Sequence, residues 1–163
     1  MNDSYGKNIV LERRFAKTIK GILGNQFIIQ DEILDKYEGT DFAIMEIKPF
    51  KVGCRLRRYK YHKSFKNEFT IRWKVTNGYE TEIDKIRNKY VNYILYGFVD
   101  ENEKYIIQYF IGDLEVFRLN EPKPYMIKKN KNICDSSLAV YRLIDLPKSF
   151  IIKKWSKEIL CPK

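Results

Sequence analysis

Residues 51–61 read KVGCRLRRYKY, and this stretch decides the fold that the sequence predicts. Apolar and polar residues alternate along it, which is the two-residue period of a β-strand with one buried face. Val52, Cys54 and Leu56 share the apolar face. The opposite face carries two guanidinium groups and two phenol rings, from Arg55, Arg57, Tyr59 and Tyr61. The pattern predicts a strand that is packed on one side and charged on the other.

The sequence before and after this strand predicts further strands of the same sheet. Pro49 separates it from an earlier apolar run, so the two runs predict a hairpin. Residues 68–75 alternate in the same way and predict a neighbouring strand of that sheet. Residues 120–132 are rich in Pro and Lys and predict a loop. The further predicted strands are residues 26–30, 40–48, 94–99, 105–111, 138–146 and 150–154.

Two helices complete the predicted core. Residues 9–23 carry apolar side chains at helical spacing on one face. Thr81, followed three residues later by the acid Asp84, predicts the start of the second helix. The element order α-β-β-β-β-α-β-β predicts an α+β fold with a mixed central β-sheet flanked by helices. No linker divides residues 1–163, so we expect a single domain.

The chain carries a large excess of positive charge, with 31 Lys and Arg residues against 21 Asp and Glu and a net charge of +10. Such a surplus attracts polyanions, and nucleic acid is the commonest of these. An anionic membrane surface and an acidic protein are the next alternatives. An AT-rich coding sequence also enriches Lys, Ile, Asn and Tyr, so composition alone leaves the partner open.

Cysteine and histidine counts exclude several kinds of site. Three cysteines with no close pair argue against a disulfide framework and a cysteine zinc site. His62 is the sole histidine, which excludes a histidine metal cluster and a Ser-His triad. The polar N-terminus and the lack of a run of about 18 apolar residues predict a cytoplasmic protein that does not enter the membrane.

The densest basic stretch, residues 51–66, contains seven Lys and Arg residues with aromatic residues between them. Guanidinium groups bind phosphates through paired donors, and aromatic faces stack on bases. The sequence therefore predicts a nucleic-acid contact surface. Its predicted residues are Arg55, Arg57, Arg58, Tyr59, Lys60, Tyr61, Lys63 and Arg72. The alternative is a solvated strand next to a Lys-rich loop.

The order of elements resembles the core of the PD-(D/E)xK nucleases, which have the restriction-endonuclease-like fold. A basic helix carrying Glu12 is followed by a strand entered through Asp41, a hairpin into the charged strand, then a strand and a helix. The resemblance covers residues 9–111 and leaves residues 112–163 as a C-terminal extension. It implies a Mg²⁺-dependent enzyme that hydrolyses phosphodiester bonds in DNA.

The resemblance assigns the family's roles to particular positions of this chain. Asp41 would match the aspartate that ligates Mg²⁺, and Glu12 would match the first-helix glutamate found in some branches. Arg57 would replace the lysine that positions the attacking water. Arg55 stands where the family has a metal-binding acid, and a cation cannot ligate Mg²⁺.

The resemblance therefore requires a second carboxylate from another part of the chain. Glu68, on the polar face of the predicted neighbouring strand, is the first candidate; Glu82, or Glu80 beside it, is the next. Either would give Mg²⁺ the oxygen ligands that it prefers. The literal ExK tripeptide at residues 46–48 lies on the same predicted strand as Asp41 and faces away from it. We interpret that tripeptide as coincidental.

Two functions follow from these patterns. The first is a divergent nuclease of a phage or mobile element, whose catalytic residues are Asp41, Glu68, Glu12 and Arg57. The second is a catalytically inactive protein of the same fold that binds nucleic acid or inhibits a host nucleic-acid enzyme. The arginine at position 55 favours the second function. A structural assembly protein is a third alternative.

Overall fold

The structure is a computed structural model that describes residues 4–23, 27–29, 42–44, 50–75, 79–129 and 136–157. Within these residues the chain forms four α-helices and nine strands in two sheets. The helices are α1 (Ser4–Leu23), α2 (Tyr59–Phe65), α3 (Glu82–Arg87) and α4 (Leu114–Asn120).

The strands follow the chain order. They are β1 (Phe27–Ile29), β2 (Phe42–Ile44), β3 (Phe50–Arg57), β4 (Glu68–Val75), β5 (Tyr93–Val99), β6 (Ile106–Asp113), β7 (Met126–Lys129), β8 (Ser136–Arg142) and β9 (Ile151–Ser156). Two 3-10 turns, Leu143–Asp145 and Lys148–Phe150, lie between β8 and β9.

The central sheet has the strand order β1-β2-β3-β5-β6-β9 and is mixed. Strands β3 and β5 run parallel, and every other neighbouring pair in this sheet is antiparallel. The predicted hairpin is present, because β2 pairs with β3 and places Phe42 opposite Val52. The predicted α+β class with a mixed central sheet is therefore confirmed.

The predicted position of strand β4 beside the charged strand is wrong. Strand β4 pairs with β8 in a second, three-stranded sheet of order β4-β8-β7, and β5 takes the place beside β3. Residues 94–99 of β5 are all buried, as expected for a strand that is packed on both faces. Strand β4 alternates between apolar and polar residues in sequence, but Phe69, Thr70 and Ile71 are buried in succession in the second sheet.

The central sheet is packed on both faces. Helix α1 covers one face with Leu11, Phe15 and Ile19, which are at most 3% exposed and cluster with Val52 and Leu56 of β3. The predicted helix at residues 9–23 is thus present and begins earlier than expected.

The second sheet, together with α3 and α4, covers the other face of the central sheet. Phe69 of β4 lies at the centre of this core and is fully buried. Its ring centroid lies 5.4–6.1 Å from the centroids of Tyr96, Phe110, Phe117, Tyr141 and Phe150. A face of β3 that was expected to be open therefore meets a second layer of the molecule.

Two local predictions need correction. The strand predicted at residues 51–61 ends at Arg57, and α2 follows it. Tyr61 and Phe65 are four residues apart and contact each other along α2, which is the helical spacing. The predicted loop at 120–132 contains β7, which pairs with β8. None of the described helices combines the length and apolar character needed to cross a membrane.

Candidate nucleic-acid interface

Arg57 lies between the two sheets. Its Nη1 donates to Thr70 Oγ1 of β4 at 2.7 Å and to the Tyr96 hydroxyl of β5 at 3.1 Å. The Thr70 and Tyr96 hydroxyl oxygens are 3.0 Å apart, and both residues are buried. The Tyr61 ring centroid lies 4.5 Å from the guanidinium carbon. The half-buried Arg57 side chain therefore joins three strands, and it lies on the face of β3 opposite Val52 and Leu56, as predicted.

Arg55 lies on the same face of β3 and forms an ion pair with Glu82 of α3. The distance from Nη2 to Oε2 is 2.7 Å, and the two side chains are 22% and 25% exposed. The same Glu82 oxygen accepts the backbone N–H of Arg72 at 2.8 Å. Removing one partner of a partly desolvated pair leaves a charge without compensation. Glu82, which was predicted to hold a metal, anchors Arg55 in this arrangement.

Glu12 reaches β3 from helix α1. The backbone N–H of Leu56 donates to Glu12 Oε1 at 3.4 Å. Beyond Val52, the described part of β2 offers β3 no partner, so the carboxylate supplies an acceptor at that point of the strand. The glutamate singled out in the first helix therefore lies beside the strand that carries Arg55 and Arg57.

Of the other predicted metal ligands, Glu68 lies among the described residues and Asp41 does not. Asp41 and the tripeptide at residues 46–48 lie outside the described residues. Glu68 is half-buried at the start of β4, opposite Arg142 in the ladder with β8. In the part of the chain that the structure describes, no three His, Cys, Asp or Glu residues form a group that could hold a metal ion. The Mg²⁺ site of Asp41, Glu68 and Glu82 remains a prediction.

Helix α2 gathers the remaining predicted contact residues. Tyr59, Lys60, Tyr61 and Lys63 lie on this helix and not on a strand, which corrects their predicted placement. Lys63 Nζ lies 5.7 Å from the Tyr59 ring centroid, and Lys60 Nζ lies 5.1 Å from that of Tyr61. Each phenol ring thus has a cation near its face, which is the geometry of a cation–π contact.

A cation from the second sheet joins this surface. Lys128 of β7 places its Nζ 4.9 Å from the ring centroid of Phe65. We call this the α2 basic surface, formed by Tyr59, Lys60, Tyr61, Lys63, Phe65, Lys66 and Lys128. Residues 57–66 contain five Lys and Arg residues and no acid, so the local charge is strongly positive.

Arg58 lies at the edge of this surface and is neutralised. Its Nε forms a 2.8 Å ion pair with Glu103 Oε1, and the second Glu103 oxygen lies 2.8 Å from Nη1 of Arg14 on α1. Glu103 has φ 53° in the turn between β5 and β6. One carboxylate therefore ties α1, the turn and the start of α2 together, and this makes Arg58 a weaker contact candidate than Lys60 or Lys63.

Sequence reasoning missed how α2 is attached to the molecule. His62 Nε2 lies 2.9 Å from Gln108 Oε1, and Gln108 Nε2 donates to the carbonyl oxygen of Lys66 at 2.8 Å. His62 also packs edge-on against Phe98 at 5.3 Å. The i, i+4 pair of Tyr61 and Phe65 was a helix signal in the sequence, whereas the approach of Lys128 depends on tertiary structure and had no local signal.

Comparisons with protein-family models, with curated proteins and with solved structures found no match to this chain.

Proposed function

We propose that this protein binds nucleic acid through the α2 basic surface and does not cleave it. The observation that carries the proposal is the repeated pairing of cations with aromatic rings on one short helix, at Tyr59, Tyr61 and Phe65. Ammonium groups can neutralise phosphates while neighbouring rings stack on bases. The net charge of +10 adds a long-range attraction for polyanions.

The engagement of Arg55 and Arg57 supports binding over catalysis. Arg55 is paired with Glu82, and Arg57 donates to Thr70 and Tyr96. Groups held in this way stabilise the contact between layers and are costly to release to a phosphate. This function corresponds to an inactive protein with a nuclease-like core, and an inhibitor of a host nucleic-acid enzyme would use the same surface.

A titration over a range of salt concentrations tests the proposal. We expect labelled single-stranded or duplex DNA to bind with an affinity that falls steeply as salt rises, because phosphate contacts release counterions. The double variant Lys60→Gln/Lys63→Gln should bind about tenfold more weakly. It should also reduce the log–log salt slope by about 1 to 2, as expected for two lost phosphate contacts. Fluorescence anisotropy measures both quantities.

The matched control removes the same charge elsewhere. Lys20 on α1 and Lys148 in a 3-10 turn are both exposed, and Lys20→Gln/Lys148→Gln lowers the net charge by the same amount. A similar loss of affinity in both double variants would show that net charge alone drives binding. Such a result, or binding that is insensitive to salt, would contradict the proposed surface.

A nuclease is the second candidate function, and the position of Glu12 favours it. Glu12 reaches β3 at Leu56, and Asp41 immediately precedes β2, which pairs with β3 through Phe42 and Val52. The order α1, β1, the β2–β3 hairpin and a crossover to the parallel strand β5 supports the nuclease-like core. In such a core Glu12 and Asp41 would converge with a metal ion, and Arg57 would have to leave its contacts with Thr70 and Tyr96, on the face of β3 opposite α1, before it could position the water.

Incubation of DNA with the protein and Mg²⁺ or Mn²⁺ separates the two functions. We expect binding without cleavage, because Glu82 and both arginines are engaged in internal contacts. Cleavage that requires the metal and is lost in Asp41→Ala would overturn this expectation and support the nuclease. Cleavage that survives Asp41→Ala would exclude Asp41 as the metal ligand.

A further inference from the structure

A cleft of about 650 Å³ is lined by residues of β4, α3, α4 and β8, and none of its lining residues belongs to the α2 basic surface. Its volume lies within the range of about 300–1,000 Å³ that is usual for small-molecule sites. Aromatic side chains Trp73, Phe117 and Tyr141 line it, and the cations Arg87, Lys89 and Lys123 contribute to its walls. Apolar rings and several positive charges therefore meet in one concave site.

The aromatic part of the cleft is preformed. Phe117 is 4% exposed and Tyr141 is 2% exposed, and their rings meet edge to face at 5.2 Å. Trp73 is less buried, and the guanidinium of Arg87 lies 5.2 Å from its ring centroid. Rings fixed by a packed core lose little conformational freedom when a flat group binds against them.

Hydrogen bonds hold the two helices around the cleft in position. Arg118 of α4 donates to the carbonyl oxygens of Ile86 and Val91, both at 3.1 Å, and to Glu115. The Arg118 guanidinium is therefore hydrogen-bonded within the protein, whereas the Lys89 and Lys123 side chains are exposed to solvent. Among the described residues that line the cleft Glu121 is the one acid, so these residues carry a net positive charge.

Both helices beside the cleft end in a left-handed residue that is not glycine. Lys89, after α3, has φ 60°, and Glu121, at the end of α4, has φ 39°. Glycine is the usual residue in this left-handed conformation, because a side chain there costs roughly 1–2 kcal/mol. The backbone N–H groups of Lys89 and Glu121 donate to the carbonyl oxygens of Ile86 and Phe117, so the left-handed conformation closes the two helices as an ordinary C-cap.

We propose that this cleft binds a free mononucleotide, with its base against the aromatic wall and its phosphate on Lys89, Lys123 and Arg87. A flat ring matches Trp73 and Phe117, and an anion matches the cations beside them. Burial raises the pKa of Tyr141 to about 12, against the opposing charge of Arg87, so this part of the wall is apolar and uncharged at neutral pH. The cleft and the α2 basic surface share no residue, so this inference does not depend on the proposed function.

Tryptophan fluorescence tests the proposal directly. The background variant Trp155→Phe leaves Trp73 as the sole tryptophan, because the chain contains two. We expect adenosine 5′-monophosphate to change the Trp73 emission saturably, with excitation at the red edge of tryptophan absorbance, where adenine does not absorb. Adenosine and inorganic phosphate, tested separately, should each bind at least about tenfold more weakly, because each makes only part of the contacts.

Charge-removing variants assign the binding to this cleft. In the same background, Lys89→Gln/Lys123→Gln should weaken adenosine 5′-monophosphate binding by roughly tenfold, as the loss of charge-assisted contacts predicts. Lys20→Gln/Lys148→Gln should leave it unchanged. No saturable emission change, equal binding of inorganic phosphate, or an equal loss in both double variants would each overturn the proposal.

Discussion

At the residue scale, Gly112 of β6 lies directly against the ring of Phe150. A methyl group built on Gly112 would lie 2.5 Å from Phe150 Cζ and 2.9 Å from Cε2, closer than atoms can pack. The ring is fully buried and contacts Phe69, Phe110 and Phe117, so it has little room to move. The absence of a side chain at position 112 is therefore a condition for closing the core.

Gly112→Ala should destabilise the protein by about 1–3 kcal/mol, because the added methyl overpacks the core. Gly21→Ala is the matched control, since nothing lies within 4 Å of its added methyl and the site is an exposed helix position. That change should stabilise the protein by roughly 0.5–1 kcal/mol. Urea unfolding measures both, and equal effects of the two substitutions would contradict the packing argument.

At the scale of single elements, α3 confirms the start that the sequence predicts. The Thr81 backbone N–H donates to Asp84 Oδ2 at 2.9 Å, and the Asp84 backbone N–H donates to the Thr81 hydroxyl at 3.4 Å. Hydrogen bonds from the Thr81 side chain and backbone lower the pKa of Asp84 below its ordinary value of 3.8. The capping box is a local motif, so the residues that form it can be recognised without knowing the fold.

Thr81→Ala should cost about 1 kcal/mol of stability, and Thr18→Ala on the exposed side of α1 should cost little. The Asp84 pKa is lower in the folded state, so its contribution is full above pH 3.8 and is lost as pH falls through the folded pKa. The difference between the wild type and Thr81→Ala should therefore shrink at acidic pH. A difference that grows on acidification, in urea unfolding at several pH values, would contradict this account.

Sequence reasoning misjudged α2 because two periods compete in its sequence, and β7 because it has none. Tyr59 and Tyr61 continue the alternation of β3, yet Tyr61 and Phe65 also fit one face of a helix. The helix forms because His62 and Lys66 meet Gln108 of β6, a partner that is distant in sequence. In β7, all four residues are exposed, so no apolar period marks the strand and pairing with β8 alone defines it.

At the scale of the whole molecule, the sequence could predict the fold class and the hairpin but not which strands become neighbours. Strand β5, and not β4, lies beside β3. Packing between the layers decides this, because the residues of β4 and β5 both favour a strand. The surroundings of Arg55 and Arg57 therefore differ from those that the sequence predicts. Arg55 and Arg57 share the face that the alternation predicted, but a second sheet and α3 meet that face and engage both side chains.

The placement of β4 has a consequence for how the chain acquires its structure during synthesis. Strand β4 pairs with β8, which begins at Ser136, and Phe69 also needs Phe150 to complete its surroundings. Synthesis must therefore proceed beyond Phe150 before the apolar face of β4 can be fully covered. Contacts so distant in sequence slow folding and prolong the exposure of apolar surface on the nascent chain.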